Sequence, residues 1–384
     1  MNILFTLNSS KFGGMEYHAL DLVKGLVARE HSIFVVCPEG EMSELYSSAG
    51  ARVFNTKIIF DFDPLYIGFL VKILRENKID VIHSHELKAS INSLIAGKLA
   101  KVPMRISHTH TPISEWKINS LKKKINVLVN TFVVNTFATK EIALTESRKR
   151  VKIIEGIHED KLAVISNGID LAKFSIDPEL KKKYKEEIFL RHSLPENAFI
   201  FGNVGRLSKE KGHELLLLAF SMFLKRLSQK GQDISNVYLV LVGGGVLEDG
   251  LKKQAKELDI SEKVIITGVF AADDLVKYYS VFDIFVFPSL AEGFGLVLAE
   301  AMASELLVLC SDLEVLQEVG GASVVYFETA NATILQQKMS DLFNRFDKFE
   351  DLKLSARQRV NDLFSMKRFI DKYEQVYSSL SVED

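Results

Sequence analysis

The sequence predicts an α/β protein with two successive doubly wound parallel sheets, and three observations predict it. Short runs rich in β-branched and aromatic residues alternate with amphipathic stretches along nearly the whole chain, the pattern of βαβ units. That rhythm breaks once, over the charged, proline-bearing stretch 177–197 (DPELKKKYKEEIFLRHSLPEN), and then restarts. The length of 384 residues exceeds one ordinary core and suits two.

In the first half the strand candidates are Ile3–Leu7, Ser32–Cys37, Arg52–Thr56, Val81–His83, Arg105–His108, Thr131–Asn135 and Ala163–Ser166. Between the first two, Tyr17–Arg29 carries Leu20, Val23 and Val27, with Ala19 and Leu26, as one helical stripe. After the break come Phe199–Val204, Val237–Val242, Val264–Thr267, Ile284–Phe287, Leu306–Cys310 and Val324–Phe327, and Met366–Leu380 closes the chain as a helix. The expected division is therefore a first Rossmann-like domain over 1–175, a passage over 176–197, a second Rossmann-like domain over 198–364 and a terminal helix over 365–384.

Bulk properties narrow the class. Hydrophobic residues make up 47% and charged residues 26%, the balance of a folded globular chain. No apolar run approaches the ~20 residues of a membrane span. Met1-Asn2-Ile3-Leu4-Phe5 enters a strand directly, with no basic leader, so no signal peptide is expected. Cys37 and Cys310 lie far apart in apolar runs and read as buried thiols in a reducing compartment, which makes the expected location cytoplasmic. Basic residues outnumber acidic ones in the first 170 positions, and the reverse holds in the remainder. That excess suits an anionic acceptor or membrane surface as well as it suits ordinary solvated charge.

Ligands of open parallel sheets lie beyond the carboxyl ends of the strands, so the turns there carry the chemistry. After the first strand, Gly13-Gly14-Met15-Glu16 lets backbone approach a ligand at a helix start, although it is not a dinucleotide fingerprint. After the first strand of the second half, Gly205-Arg206 and Lys211-Gly212 place two cations on a short loop, able to neutralise a diphosphate. Further on, Glu292-Gly293-Phe294-Gly295-Leu296 opens a helix carrying Glu300. Amides there suit phosphate and the carboxylates suit sugar hydroxyls, and Glu300, inside an apolar helix face, requires a partner. Two histidine groups, His83-Ser84-His85-Glu86 and His108-Thr109-His110-Thr111, follow first-half strands. No cysteine assists them, so they read as hydrogen-bonding groups and no metal site is expected. Asp61-Phe62-Asp63 before Pro64 reads as a cap or turn.

Taken together, Gly205-Arg206, Lys211-Gly212, Pro288-Ser289 and the Glu292/Glu300 pair resemble the retaining GT-B transferases of glycosyltransferase family 4. Gly13-Gly14-x-Glu16, Ser166-Asn167-Gly168-Ile169-Asp170 with Phe174, and the final helix extend the resemblance over nearly the whole chain. The resemblance implies two facing Rossmann domains, the second holding a nucleotide-sugar donor, and a last helix that crosses back to the first. It implies that Arg206 and Lys211 hold the diphosphate, Glu300 the ribose and Glu292 the donor sugar. The amides of Phe294, Gly295 and Leu296 lie nearby, and Gly13, Gly14, Glu16, Asn167, Gly205 and Gly268 complete the substrate contacts. His110 is the implied first-domain histidine beside the sugar, with His108 its near rival. One departure is Ser304-Glu305-Leu306 where the family commonly shows Gly-x-Pro.

The implied reaction is transfer of a sugar, with retention, from a UDP-type donor to a hydroxyl of a glycan or lipid-linked acceptor in cell-surface polysaccharide or lipopolysaccharide synthesis. It needs no cofactor or metal beyond the nucleotide-sugar co-substrate and no nucleic acid. The alternatives are a nucleotide-sugar epimerase or sugar phosphorylase of similar plan and a non-catalytic sugar-nucleotide-binding subunit. In Trp116–Asn130, Ile118, Leu121, Ile125 and Leu128 form a helical stripe beside Lys122–Lys124. The stripe fits either a core-facing helix or peripheral contact with the cytoplasmic face of the inner membrane.

Overall fold

The computed structural model describes residues 1–269 and 274–379. They form two units: Met1–Gly168 with the chain from Met366, and Ile169–Ser365.

The first unit holds β1 (Asn2–Thr6), α1 (Gly14–Val27), β2 (Ser32–Cys37), α2 (Glu41–Ser48), β3 (Arg52–Asn55), α3 (Pro64–Glu76), β4 (Val81–His85), α4 (Leu87–Leu99), β5 (Met104–His108), α5 (Ser120–Phe137), β6 (Lys140–Ala143), α6 (Glu146–Ile154) and β7 (Leu162–Val164). Its seven strands are parallel in the order β3-β2-β1-β4-β5-β6-β7. Alternation along the strands divides the core. Ile3, Phe5, Val35, Val81 and Ile106 pack with α1 and α2, whereas Leu4, Val36 and Ile82 pack with α3 and α4. Asp63 caps α3 by accepting from the Tyr66 amide, with Pro64 in the first turn.

Thr131–Asn135, read as a strand, belongs to α5, and the sheet takes Lys140–Ala143 instead. The β-branched run Thr131, Val133, Val134 suggests extension, but helical spacing puts Asn130, Val133 and Val134 on the buried side. Asn119 caps the helix by accepting from the Leu121 and Lys122 amides. The stripe of Leu121, Ile125 and Leu128 faces outward, so the core-facing alternative for that stripe does not hold.

The second unit comprises α7 (Leu171–Phe174), α8 (Pro178–Arg191), β8 (Phe199–Val204), α9 (His213–Gln229), β9 (Val237–Val242), α10 (Glu248–Glu257), β10 (Val264–Ile266), α11 (Asp274–Val281), β11 (Ile284–Phe287), α12 (Leu296–Ala303), β12 (Leu307–Ser311), α13 (Glu314–Gly320), β13 (Val325–Phe327), α14 (Ala332–Asn344) and α15 (Glu350–Phe364). The parallel order is β10-β9-β8-β11-β12-β13, with strand order reversing between β8 and β11. The passage expected at 176–197 is largely α8, inside this unit. Asp177 caps it, and Arg191 and Glu187 pair with Asp274 and Lys277 of α11. Its charged run is a solvated helix face rather than a linker. The last helix, α16 (Met366–Ser378), returns to the first unit, where Phe369, Ile370, Tyr373 and Tyr377 join the core beside α1. The predicted end of this helix at Leu380 lies outside the described residues.

Candidate active site

In the second unit the site is built where β8 and β11 end. Gly212 has φ of 70°, and a Cβ there would lie 2.0 Å from the Pro288 carbonyl oxygen. Only glycine lets the β8 loop touch the β11 loop backbone to backbone. Gly243, with φ of 142°, does the same for the β9 loop, since a Cβ would meet the Gly205 carbonyl at 2.1 Å. Gly268, φ 70°, bridges to Gly243. Below them a buried chain fixes the start of α9: His213 Nε2 lies 2.9 Å from Asn203 Oδ1, and Asn203 donates to the Val286 carbonyl at 2.8 Å. Burial holds the His213 pKa down to about 4, so the ring is neutral.

This contact brings Lys211 to Glu292. Nζ donates to Oε1 at 2.6 Å, and Ser289 Oγ donates to the same oxygen at 2.7 Å. Glu292 is not a helix cap, because α12 starts at Leu296 with Gly295 at its N-cap in the left-handed region. Arg206 donates to Glu210 at 3.0 Å, and its side chain is 74% exposed. Burial works against the charged form of Glu210, yet bonds from Ser208 and Arg206 lower its pKa to about 2. Phe294 is buried against Phe364. Glu300 has the partner its apolar surroundings require, since Tyr279 donates to Oε2 at 2.9 Å. The arrangement offers one exposed and one partly buried cation, the amides at the start of α12 and two carboxylates, a set that can grip a diphosphate and hydroxyls.

In the first unit the end of the sheet holds a stack of imidazoles. His83 and His85 belong to β4, His108 ends β5, His110 follows it and His18 projects from α1. Burial depresses the pKa of all five, to about 4 for His18, where the Asn167 hydrogen bond opposes it. Nitrogens of His18, His85, His108 and His110 lie within 4.8 Å of one another. The His108 and His110 rings, however, stack at 3.9 Å with planes 12° apart. The four nitrogens are thus close enough to share a cation, while the rings of His108 and His110 also lie face to face. Glu16 is buried, its carboxylate folded back over Gly13, while a Cβ at Gly14 would meet open space. Glu86 has φ of 68° and receives the His110 amide, and burial raises its pKa to about 7.

Of the residues singled out in sequence, Arg206, Lys211, Glu292, Gly205, Gly268, Phe294, Gly295, Leu296 and Glu300 fall in the second unit. Gly13, Gly14, Glu16, His108, His110 and Asn167 fall in the first. Sequence reasoning missed five participants: His18, Glu210, Tyr279 and the buried pair of Glu141 with Lys152. For His18 a signal existed, a histidine on the apolar stripe of α1 two residues after Glu16. For Tyr279 there was none, because its partner is 21 residues away on another helix.

Two parallel sheets of this topology, with a cation-and-carboxylate cluster at the strand ends of the second and a last helix returned to the first, define a GT-B transferase. The family model "Glycosyl transferases group 1" matches residues 184–359, and "Glycosyltransferase Family 4" matches residues 12–173. The chain belongs to that glycosyltransferase family. It is 27% identical to the UDP-Gal:alpha-D-GlcNAc-diphosphoundecaprenol alpha-1,3-galactosyltransferase of Escherichia coli, over 96% of this chain and 94% of that one. It is 25% identical to the capsular polysaccharide biosynthesis glycosyltransferase CapM of Staphylococcus aureus, over 94% and 93%. The crystal structure of Anabaena HepE in complex with UDP and glucose has the same fold, with a TM-score of 0.84 at 22% identity, covering 99% of this chain and all of that one. Among the described residues no helix is long and apolar enough to cross a membrane.

Proposed function

We propose that this glycosyltransferase moves a sugar from a UDP-type donor to a hydroxyl of a lipid-linked glycan, with retention and without a metal at the phosphates, in cell-surface polysaccharide synthesis. The observation that carries the reading is the Lys211–Glu292 contact at 2.6 Å beside exposed Arg206 on the β8 loop. In this reading Arg206 and Lys211 stabilise the charge that grows on the departing diphosphate, with the amides of Phe294, Gly295 and Leu296. Gly205 and Gly268 keep the loop floor open, Glu300 takes the ribose and Glu292 the donor sugar. Gly13, Gly14, Glu16, Asn167 and a histidine, His110 or His108, serve from the first unit. The bond from the anomeric carbon to the phosphate oxygen breaks as the bond to the acceptor oxygen forms. The acceptor proton passes to the leaving phosphate on the same face, and the nucleoside diphosphate departs. Relatives that act on diphosphoundecaprenol-linked sugars support the acceptor class.

Such an acceptor sits in a bilayer, and α5 offers a surface for peripheral contact with the cytoplasmic leaflet. Leu121, Leu128 and Phe132 are 68%, 69% and 65% exposed on one face, beside exposed Lys117, Lys122 and Lys124. One assay tests both parts: UDP-sugars are offered with a polyprenyl-diphosphate-linked acceptor in anionic vesicles. Transfer to the acceptor is expected, together with flotation of the protein that Leu128→Glu with Phe132→Glu abolishes. Donor conversion without acceptor would establish an epimerase instead, donor binding without transfer would establish a binding subunit, and no flotation at low salt would remove the membrane contact.

A further inference from the structure

Three parts of the first unit meet in the histidine stack. His18 comes from α1, His85 from β4, and His108 and His110 from the end of β5 and the chain just after it. One ring nitrogen from each of these four lies within 4.8 Å of the other three. His83 stands apart, because Tyr377 Oη lies 2.8 Å from its Nδ1. His18 is edge-on to the others, at 68° to His85, 80° to His108 and 89° to His110, so it meets the stack from the side.

The hydrogen bonds leave this group short of partners. His18 Nδ1 lies 2.7 Å from Asn167 Oδ1, which only accepts, so the His18 proton sits on Nδ1. A lone pair remains on Nε2, whose contact with Tyr373 Oη is long at 3.3 Å. An imidazole held through its far N–H by a carbonyl is the usual state of a metal ligand. Of nine buried side-chain polar atoms without a hydrogen-bond partner among the described residues, three are in this stack: His83 Nε2, His85 Nε2 and His108 Nε2. His85 and His108 are both wholly buried. Such orphaned atoms are uncommon in folded proteins and point to a missing water or ion. Burial also keeps the four rings neutral, the form that binds metal.

We propose that His18, His85, His108 and His110 form a structural site for one divalent transition ion of the Zn²⁺ class. Four imidazoles suit Zn²⁺ or Co²⁺ and do not suit Mg²⁺ or Ca²⁺, which take oxygen ligands. Four nitrogens bound to one Zn²⁺ lie about 3.3 Å from each other. His85 Nδ1 and His110 Nε2, at 3.1 Å, already have that spacing. The face-to-face rings of His108 and His110 close on the ion when one of them turns, and His110, beyond the strand and less buried, is the ring placed to do so. With all four positions filled by protein, the site has none open for a substrate, which makes it a brace between α1, β4 and β5. All four ligands belong to the first unit, whereas the cations assigned to the diphosphate belong to the second. Sequence spacing argued against a metal because no cysteine joins the two histidine groups; the fold supplies the missing ligand as His18.

The experiment uses the full chain, stripped with a chelator and then titrated with Zn²⁺ alone. One Zn²⁺ per chain is expected to bind and to raise the thermal unfolding midpoint. X-ray absorption of the Zn²⁺-loaded wild type is expected to show four imidazole nitrogens at about 2.0–2.1 Å. Co²⁺ in its place is expected to give the visible absorption of a tetrahedral ion. Asn167→Ala, which removes only the outer partner, is expected to weaken Zn²⁺ by about 10–100-fold. His18→Gln and His85→Gln are expected to weaken it further, while His83→Gln binds like wild type. No Zn²⁺ bound at one per chain, or an oxygen-rich shell in the absorption spectrum, overturns the site whether or not the variants fold. Affinity unchanged in a folded His18→Gln protein overturns it equally, by placing the ion elsewhere. Metal binding is read directly, so the result does not depend on the transferase reading.

Discussion

Lys211→Ala is expected to lower turnover at saturating donor by about two orders of magnitude or more, the scale for loss of one preorganised charge at a developing oxyanion. The argument is geometric. Lys211 is held at the end of β8 by a loop whose glycine touches Pro288, and its amine is already within 2.6 Å of Glu292. A donor phosphate brought there meets a charge that needs no reorganisation. Truncation also leaves Glu292 without its cation, though still bonded by Ser289. Arg206, far more exposed, samples more orientations and is the poorer substitute. The loss is therefore expected in kcat more than in donor KM, because the charge on the phosphate grows as the glycosidic bond breaks. Steady-state transfer assays of the purified variant measure it, and near-normal turnover would remove Lys211 from the catalytic set.

The largest stability effect is expected in the first unit. Lys152 and Glu141 are both buried and paired, and between them they hold the backbone of Thr109: the Thr109 amide donates to Glu141 at 3.3 Å and Lys152 donates to the Thr109 carbonyl at 2.9 Å. The pair thus clamps the link between His108 and His110. Glu141→Ala strands the Lys152 charge and is expected to cost about 3–5 kcal/mol, as for other broken buried pairs. Urea denaturation followed by circular dichroism measures this. The double variant Glu141→Leu with Lys152→Met removes both charges and is expected to recover much of the loss, because burying an ion pair brings little net gain over apolar packing. A single variant within about 1 kcal/mol of wild type, the range of an ordinary substitution, would show that the lysine finds water or another partner.

Most of the second unit's site was legible in sequence because it is local. Arg206 and Lys211 share one loop, Glu292 and Glu300 flank one turn, and glycines mark where backbones must touch. Glu300 even announced its need of a partner, although Tyr279 could not be named from spacing. The first unit was less legible. Its histidines were visible as two separate groups, but their union with His18, Tyr373 and Tyr377 depends on parallel register between β4 and β5 and on the return of the last helix. Thr131–Asn135 misled because a β-branched run inside a long helix carries the composition of a strand. The charged stretch after Ser175 misled because a solvated helix and a linker share the same composition, and only the cap at Asp177 with Pro178 distinguishes them.

The central claim is that paired cations and helix-end amides of the second unit hold a pyrophosphate while its sugar leaves. A crystal structure with UDP bound tests it most directly. The expected result is diphosphate oxygens within hydrogen-bonding reach of Arg206 and Lys211, with a ribose hydroxyl on Glu300. A diphosphate held elsewhere, with both cations turned away from it, would contradict the account.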